Sequence, residues 1–218
     1  MKASLLALSL FALVAACGSP TGTEPGAEGD WLVKQDFEDF SVAGLPFGWR
    51  LGETDARGLQ ASWGQVAGRQ GKGFGILETR NVRSTYNVAV LDGVTLKDFQ
   101  ASFSLQARSG QEDQGGGLVW RFRDFNNYYI CRWNPLEDNL RFYKVQDGTR
   151  TRIASSEFKA HPKTWHLIRV QVEGNRVRIY MDEDLKIQAE DDTFPDAGQI
   201  GFWTKADAAT SFDQLYVR

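Results

Sequence analysis

The sequence predicts an all-β protein in which two antiparallel sheets stack as a jelly-roll β-sandwich. Three observations predict this fold. Large apolar residues alternate with polar ones in many short runs, which is the pattern of half-buried strands. The 22 glycines and the 12% of aromatic residues suit tight turns around a core that lies between sheets. No helical pattern in the chain is long enough to indicate a long helix.

The length and composition indicate one domain. With 218 residues and 42% hydrophobic content, the chain is long enough for a single large core. The formal net charge is only −3 and no long block of like charge is present. The sequence therefore gives no indication of nucleic-acid binding.

Residues 1–17 have the layout of a secretory signal. Lys2 is followed by an apolar run from Ala3 to Val14, which is too short to span a bilayer, and then by small residues before Cys17. This end resembles a bacterial lipobox, which implies a lipoprotein acylated at Cys17 and anchored in the membrane of the cell envelope; a plain secretory signal cut at another alanine is the alternative. Gly18 in place of aspartate implies the outer membrane or the cell surface.

The composition of the chain predicts a disordered tether at residues 18–30 and the folded domain at residues 31–218. The tether is rich in Gly, Pro, Ser, Thr and Glu and lacks large apolar residues. In the domain Cys131 is the single cysteine, which excludes an intramolecular disulfide. Because it alternates with Tyr129 and Trp133, we expect Cys131 to be a buried apolar residue without a nucleophilic role.

The remaining strands follow in order along the chain. Before the central stretch, residues 117–145, we expect strands at residues 35–40, from Trp49, and at 61–66, 73–77, 87–91 and 99–107. After this stretch we expect strands at residues 149–154, 165–172, 176–181, 200–204 and 211–217. The total is about twelve to fourteen, a number that two stacked sheets accommodate. Residues 53–58 and 155–160 are the candidates for single helical turns.

The central stretch, residues 117–145, predicts a three-stranded meander with two distinct faces. Since successive side chains of a strand alternate, Trp120, Phe122 and Phe142 should face the core. The residues expected on the far face are Arg121, Tyr128, Arg132, Arg141 and Tyr143.

That far face is the candidate binding surface. Tyrosine rings stack on sugars and arginine donates hydrogen bonds to hydroxyl groups, and the positive charge favours an acidic glycan. Trp203, which alternates away from Ile200 and Phe202, is a further stacking candidate. The alternative is an ordinary solvated face on which arginine stems lie across tyrosine rings.

The domain resembles the concanavalin A-like lectin/glucanase group, and within it the laminin G-like and bacterial 3-keto-disaccharide-hydrolase-like domains. The resemblance covers residues 31–218 and rests on GLVWRFRDFNNYYICRW, NLRFYKVQDGTRTRIASS, TWHLIRVQVEGNRVRIYMDEDL and GQIGFWTKADAATSFDQLYV. It implies the jelly-roll fold and says little about activity, because one fold supports many functions. The chain departs from the group's usual Asp-Gly turn at Asp182-Glu183, and the Glu-x-Asp-x-x-Glu run of related glucanases is absent from it.

The same resemblance implies a structural calcium ion where the first strand meets the last. Glu38, Asp39 and Asp213 lie in the matching segments, and carboxylate oxygens suit calcium. Ordinary edge-strand carboxylates are the alternative. No cofactor is expected to be required.

Three functions remain in order of preference. The first is a lipid-anchored carbohydrate-binding domain of the cell envelope with a glycan partner. The second is a hydrolase of a disaccharide or keto-sugar, which needs two carboxyl groups across a cleft. The spacing of residues along the strands does not place any two carboxylates, Asp113 and Glu137 among them, as a pair on the far face of the meander. The third is a protein-interaction module that uses the same face.

Overall fold

The structure is a computed structural model that describes residues 30–40, 44–56 and 60–218. This part of the chain contains fifteen strands and no helix. In chain order they are β1 (Val33–Gln35), β2 (Trp49–Thr54), β3 (Ser62–Ala67), β4 (Lys72–Glu78), β5 (Tyr86–Leu96), β6 (Phe99–Ser109), β7 (Gly116–Asp124), β8 (Asn127–Asn134), β9 (Asn139–Gln146), β10 (Thr149–Glu157), β11 (His166–Glu173), β12 (Arg176–Met181), β13 (Asp184–Glu190), β14 (Gly198–Lys205) and β15 (Ala209–Val217).

The strands form two antiparallel sheets, so the predicted all-β sandwich is confirmed. The eight-stranded sheet has the order β13-β12-β11-β6-β15-β4-β3, with β1 paired to β15. The seven-stranded sheet has the order β10-β9-β8-β7-β14-β5-β2. The central meander is β7, β8 and β9, each paired with the next.

The core lies between the sheets and is rich in aromatic rings. Phe202 of β14 and Phe212 of β15 stack with centroids 4.2 Å apart. Trp120 and Phe142 stack at 5.3 Å and are both buried, as the alternation predicts. Burying each large apolar side chain contributes about 1.5–3 kcal/mol.

A β-bulge in β7 reverses the expected directions of two residues. The register between β7 and β8 shifts after Trp120, and Arg121 adopts a φ of 47°. An extra residue at a bulge changes which side chains face which side. Phe122 therefore joins the far face, and Arg121 turns away from it and donates a hydrogen bond to the Phe194 carbonyl at 2.6 Å. The prediction that Arg121 lies on the candidate binding face is wrong.

Several predicted boundaries also differ from the structure. The first strand is Val33–Gln35 rather than residues 35–40, and β10 continues to Glu157, which excludes the helical turn expected at residues 155–160. Strand β13 was not predicted. The loop before it consists of Asp182 and Glu183 at φ values of 49° and 70°, a two-residue hairpin turn without glycine.

The signal segment and Cys17 lie outside the described residues, as does all but the last residue of the tether. Their assignments stay predictions. Within the ranges that the structure describes, no helix is long and apolar enough to cross a membrane.

Candidate functional site

Five of the six residues predicted to bind a ligand lie on one surface. This surface, the outer face, is the side of the seven-stranded sheet turned away from the core. The five residues are Tyr128, Arg132, Arg141, Tyr143 and Trp203. Arg121 is the exception because of the bulge in β7. Whether the five contact a ligand stays a prediction.

The outer face is more apolar and more enclosed than the sequence suggests. A second cluster of buried residues covers its middle, and its members are Tyr86, Val88, Val90, Val119, Phe122, Tyr128, Ile130, Tyr143, Val145 and Trp203. The expectation of a freely exposed cationic surface is therefore wrong for most of the sheet. The seven-stranded sheet is apolar on both sides.

The enclosure arises from the curvature of the sheet. Three strands separate β8 from β2, which in a flat sheet places them about 19 Å apart. The hydroxyl oxygens of Tyr128 on β8 and Thr54 on β2 nevertheless lie 2.7 Å apart. Thr54 also donates to the carbonyl oxygen of Phe125, at the tip of the β7–β8 hairpin. The outer face is thus concave, and this hairpin tip closes one end of it.

Three aromatic rings surround one guanidinium group in the concavity. The Arg150 Cζ atom lies 4.5 Å from the ring centroid of Tyr143, 5.1 Å from that of Tyr86 and 5.7 Å from that of Trp203. These three rings come from β9, β5 and β14. We call Tyr86, Tyr143, Trp203 and the enclosed Arg150 the aromatic cradle.

Arg150 is half-buried and has no polar partner among the described residues. Its Nη1 atom is buried without a hydrogen-bond partner, and Arg150 has no salt bridge or hydrogen bond to any residue in the described ranges. A guanidinium normally offers five donors to acceptors. Because Nη1 is itself buried, a ligand that enters the cradle would meet the donors on the exposed part of the guanidinium first.

A charged network borders the cradle. The Arg132 guanidinium is 1% exposed, and its Nη2 atom lies 3.1 Å from an oxygen of Asp113 and 3.1 Å from one of Glu137. Glu137 also binds Arg141 at 2.7 Å, and Asp113 binds Lys205 at 2.9 Å. We call these five residues the charged rim. Arg141 joins the rim to the cradle because its Nη1 atom lies 3.2 Å from the Tyr143 hydroxyl.

The ionisation of the rim follows from these contacts. Burial raises the pKa of Glu137, but the hydrogen bond and charge of Arg132 outweigh it and hold the value at about 2. Burial likewise lowers the pKa of Arg132, and the charges of Asp113 and Glu137 more than offset it, so the net direction is upward. Arg132 and Glu137 are therefore both charged at neutral pH.

One expectation about the rim is wrong, and one contact in it was not predicted. Arg132 is not a surface donor; its guanidinium is sealed between two carboxylates, where it positions Glu137 and, through it, Arg141. Asp113 and Glu137, which strand spacing left unpaired, meet on this one guanidinium. Both lie outside the strands, so their approach depends on loop geometry that alternation does not predict.

The most informative residues of the site were not predicted. Arg150 and Tyr86 lie on strands whose alternation is readable, since Arg150 and Arg152 project to the same side of β10. Alternation does not predict the curvature of the sheet, which brings β10 and β5 to the same groove. Tyr86 was also hidden because it is the first residue of its strand.

The predicted calcium ligands are separated from the outer face. Asp213 on β15 is buried and accepts the backbone N–H of Arg69 at 2.8 Å, and Glu38 accepts that of Lys72 at 2.9 Å. Asp39 is exposed. The described ranges contain no group of three or more His, Cys, Asp or Glu side chains placed to hold a metal. The calcium ion stays a prediction.

Two other residues with potentially reactive side chains, Cys131 and His166, are buried. Cys131 is buried, as predicted, and burial raises the pKa of its thiol to about 12, so the thiol stays protonated at neutral pH. His166 is buried against the ring of Trp133 at 4.7 Å. Its Nδ1 atom lies 2.7 Å from Asp182, a partner in the β12–β13 turn that the sequence did not reveal.

Comparison with known proteins supports the fold. No protein-family model matches the chain. A levanase from Bacillus subtilis (strain 168) is 26% identical over 126 residues, which is 57% of this chain and 18% of the levanase. The chain thus corresponds to less than a fifth of that enzyme.

Two solved structures share the architecture. The carbohydrate binding module CBM66 from Bacillus subtilis superposes with a TM-score of 0.64 at 22% identity, covering 78% of this chain and 95% of the module. Domain 4 of AbnA, an extracellular arabinanase from Geobacillus stearothermophilus solved with arabinotriose, gives 0.51 at 14% identity, covering 78% and 81%. At these identities the likeness shows the β-sandwich fold and nothing finer.

Proposed function

We propose that this domain binds carbohydrate at the aromatic cradle, with the charged rim as the edge of the site. The observation that carries the proposal is the Arg150 guanidinium, which lies among three aromatic rings without a hydrogen-bond partner in the described part of the chain. Ligand sites in proteins combine an apolar lining with a few convergent polar groups, and the cradle has this composition.

The chemistry of the cradle suits a sugar ring. The face of a tyrosine ring accepts the C–H side of a sugar, while hydroxyl and guanidinium groups hydrogen-bond its oxygens; Trp203 is fully buried and does not offer a face. Tyr143 contributes both a ring and a hydroxyl, and the hydroxyl is held by Arg141. A sugar that displaces water from the half-buried Arg150 would supply the acceptors that this side chain lacks.

The rim favours binding over hydrolysis. A glycosidase needs a protonated carboxyl group as general acid, which requires a raised pKa. Glu137 has the opposite shift, to about 2, and both Glu137 and Asp113 are engaged by the same arginine. These two carboxylates therefore do not favour the alternative of a hydrolase.

The relatives support a glycan as the partner. Among the solved folds similar to this one are a carbohydrate binding module and an arabinanase domain in complex with arabinotriose. Because the match to levanase covers 18% of that protein, we do not extend levanase activity to this chain.

The cellular setting remains part of the proposal. Acylation at Cys17 would anchor the protein in the membrane of the cell envelope, and residues 18–30 would separate the domain from the lipid surface. The domain would then hold a glycan at the outer membrane or the cell surface.

Calorimetric titration of the purified domain with neutral and acidic oligosaccharides, fructan and arabinan fragments included, tests the proposed function. We expect Arg150→Ala and Tyr143→Ala each to weaken binding about tenfold or more, which is about 1.4 kcal/mol. The matched control is Arg169→Ala, because Arg169 lies 3.8 Å over the Tyr180 ring on the eight-stranded sheet, away from the outer face.

The outcomes separate the three candidate functions. Binding that is unchanged in Arg150→Ala and Tyr143→Ala would place the sugar elsewhere on the domain. Turnover of any sugar in the panel would establish the hydrolase. Absence of glycan binding across the panel, with the wild-type fold intact by circular dichroism, would reject the carbohydrate proposal in favour of a protein partner.

A further inference from the structure

The surroundings of the aromatic cradle carry a surplus of positive charge. The cationic side chains there are Arg132, Arg141, Arg150, Arg152 and Lys205. The carboxylates near them are Asp55, Asp113 and Glu137. The chain as a whole has a formal net charge of −3, so a basic composition does not explain this local surplus.

Among the described residues, Arg150 and the exposed Arg152 are the cations of this group without a carboxylate in salt-bridge distance, and of the two only Arg150 is enclosed by aromatic rings. Asp113 and Glu137 are shared among Arg132, Arg141 and Lys205, and neither contacts Arg150.

Three other arginines that stack on aromatic rings differ from Arg150 in this respect. Arg50, Arg123 and Arg169 each lie over at least one ring. Each of them also contacts a carboxylate: Asp92 at 2.7 Å, Asp196 at 3.0 Å and Glu183 at 3.1 Å, respectively. Arg150 lies over three rings, and no carboxylate of the described residues is within salt-bridge distance.

A half-buried cation without a counter-ion favours an anionic ligand. Rings replace much of the water around Arg150, and an ion that loses water is stabilised most by an opposite charge. The planar guanidinium donates two parallel hydrogen bonds to a carboxylate or a sulfate. Arg152 lies opposite Tyr143 in the register between β10 and β9, so its exposed charge is beside the same opening.

We propose that the glycan bound at the cradle carries an anionic substituent, a carboxylate or a sulfate, and that Arg150 binds this group directly. This inference rests on the proposed carbohydrate function and adds the class of sugar. Tyr143 and Tyr86 contact the sugar ring, and Arg152 strengthens the attraction without being enclosed by the rings.

Two matched pairs of oligosaccharides test the charge and identify its source. The first pair is an oligogalacturonate and its carboxyl-reduced counterpart, and the second is a sulfated carrageenan oligosaccharide and its desulfated counterpart. We expect the wild-type domain to bind the anionic member of at least one pair about tenfold more tightly than the neutral member. We also expect this preference to weaken as ionic strength rises to about 0.15 M, because salt screens exposed charges.

Substitution of Arg150 should remove the preference. In Arg150→Gln the two members of a pair should bind within about twofold of each other, while Arg150→Lys should retain a reduced preference because it keeps the charge and loses the planar fork. The control Arg176→Gln alters a half-exposed arginine on β12 of the other sheet, and we expect wild-type discrimination.

The results distinguish failure of the inference from failure of the proposed function. Binding of neutral glycans as tightly as anionic ones, or a preference that survives Arg150→Gln, would overturn the inference and leave carbohydrate binding intact. Absence of binding to all four oligosaccharides and to the broader neutral panel would overturn both.

Discussion

The hydroxyl oxygens of Tyr128 and Thr54 lie 2.7 Å apart although β7, β14 and β5 separate their strands. Thr54 has one hydroxyl hydrogen and donates it to the Phe125 carbonyl, so Tyr128 is the donor in this pair. The contact links one side of the curved sheet to the other and to the hairpin tip. The shape of the concave outer face therefore depends on it.

Removal of this hydroxyl should destabilise the fold modestly. Tyr128→Phe keeps the buried ring and loses one buried hydrogen bond, so we expect the free energy of unfolding to fall by about 1 kcal/mol. Urea denaturation measures the change. Tyr180→Phe is the matched control, because its half-buried hydroxyl binds Gln171 on the surface of the other sheet and its loss should have a smaller effect. Equal effects of the two variants would mean that the cross-sheet bond carries no special stability.

The Arg132–Asp113 pair should be the most sensitive electrostatic contact of the site. Both side chains are almost fully buried, and removal of one member leaves the other charge without its main partner. We expect Arg132→Met to lower the free energy of unfolding by about 3–5 kcal/mol, as for other buried pairs that lose one member.

A double variant separates loss of the pair from loss of packing. Arg132→Met with Asp113→Leu should recover part of the stability, because neither member of the pair is left behind as an uncompensated charge, while the loss of the Asp113–Lys205 contact limits the recovery. Chemical denaturation of the two single variants and the double variant gives the coupling energy. Additive effects of the two substitutions would show that the pair is not coupled.

The stability of the domain should fall in acid partly through Glu137. Its pKa is lowered from the ordinary value of 4.5 to about 2, so the folded state favours the ionised form. This contribution is complete above about pH 4.5 and is lost as the pH falls toward about 2. We expect Glu137→Gln to be less stable than wild type at neutral pH and to have a flatter dependence on pH in this window.

Asp191 supplies the comparison for that experiment. Burial raises the pKa of Asp191, but hydrogen bonds from Thr193, Tyr129 and Lys144 outweigh it and give a value of about 2. The partners of Asp191 are not rim residues, and Asp191 should titrate over the same pH range as Glu137. In Glu137→Gln the free energy of unfolding should therefore still fall as the pH is lowered, but with a smaller slope. Unfolding free energies measured from about pH 2 to about pH 7 test this. Parallel curves for wild type and Glu137→Gln would exclude a contribution from Glu137.

The sequence predicts the strands and their core faces well because alternation is a local property. Trp120, Phe142 and Cys131 are buried as expected, and the turn at Asp147-Gly148 has the positive φ values that its sequence predicts. Failures occur where one residue interrupts the alternation. The bulge at Arg121 reverses the faces, and no sequence feature marks it.

The candidate site was predicted only in part because it depends on curvature. Tyr143 and Trp203 were identified from the alternation of side chains along their own strands, which each strand's sequence shows by itself. The approach of Arg150 and Tyr86 requires β10 and β5, which four strands separate, to face each other across a concave sheet. Curvature of this kind depends on the whole sheet rather than on any one segment.

The lipid anchor gives a direct prediction for Cys17. Metabolic labelling with a fatty acid should label the wild-type protein, and Cys17→Ala should abolish the label because the acylated thiol is absent. Cys131→Ala is the matched control: Cys131 is buried in the core, so its removal should leave labelling unchanged. Label that persists in Cys17→Ala would exclude this residue as the anchor, and a plain secretory signal would then be favoured.

The proposed calcium ion should act through Asp213. Burial raises the pKa of this carboxyl, and the negative charge of Glu38 raises it further. A bound cation would offset the cost of ionising the buried Asp213 carboxyl beside this negative charge. We therefore expect calcium chloride to raise the melting temperature and a chelator to lower it; occupancy at 100 times the dissociation constant contributes about 2.7 kcal/mol. Asp213→Asn should abolish the response, while the exposed Asp192→Asn should retain it. A wild-type melting temperature that responds to neither reagent would remove the calcium proposal, and a response that survives Asp213→Asn would place the ion elsewhere.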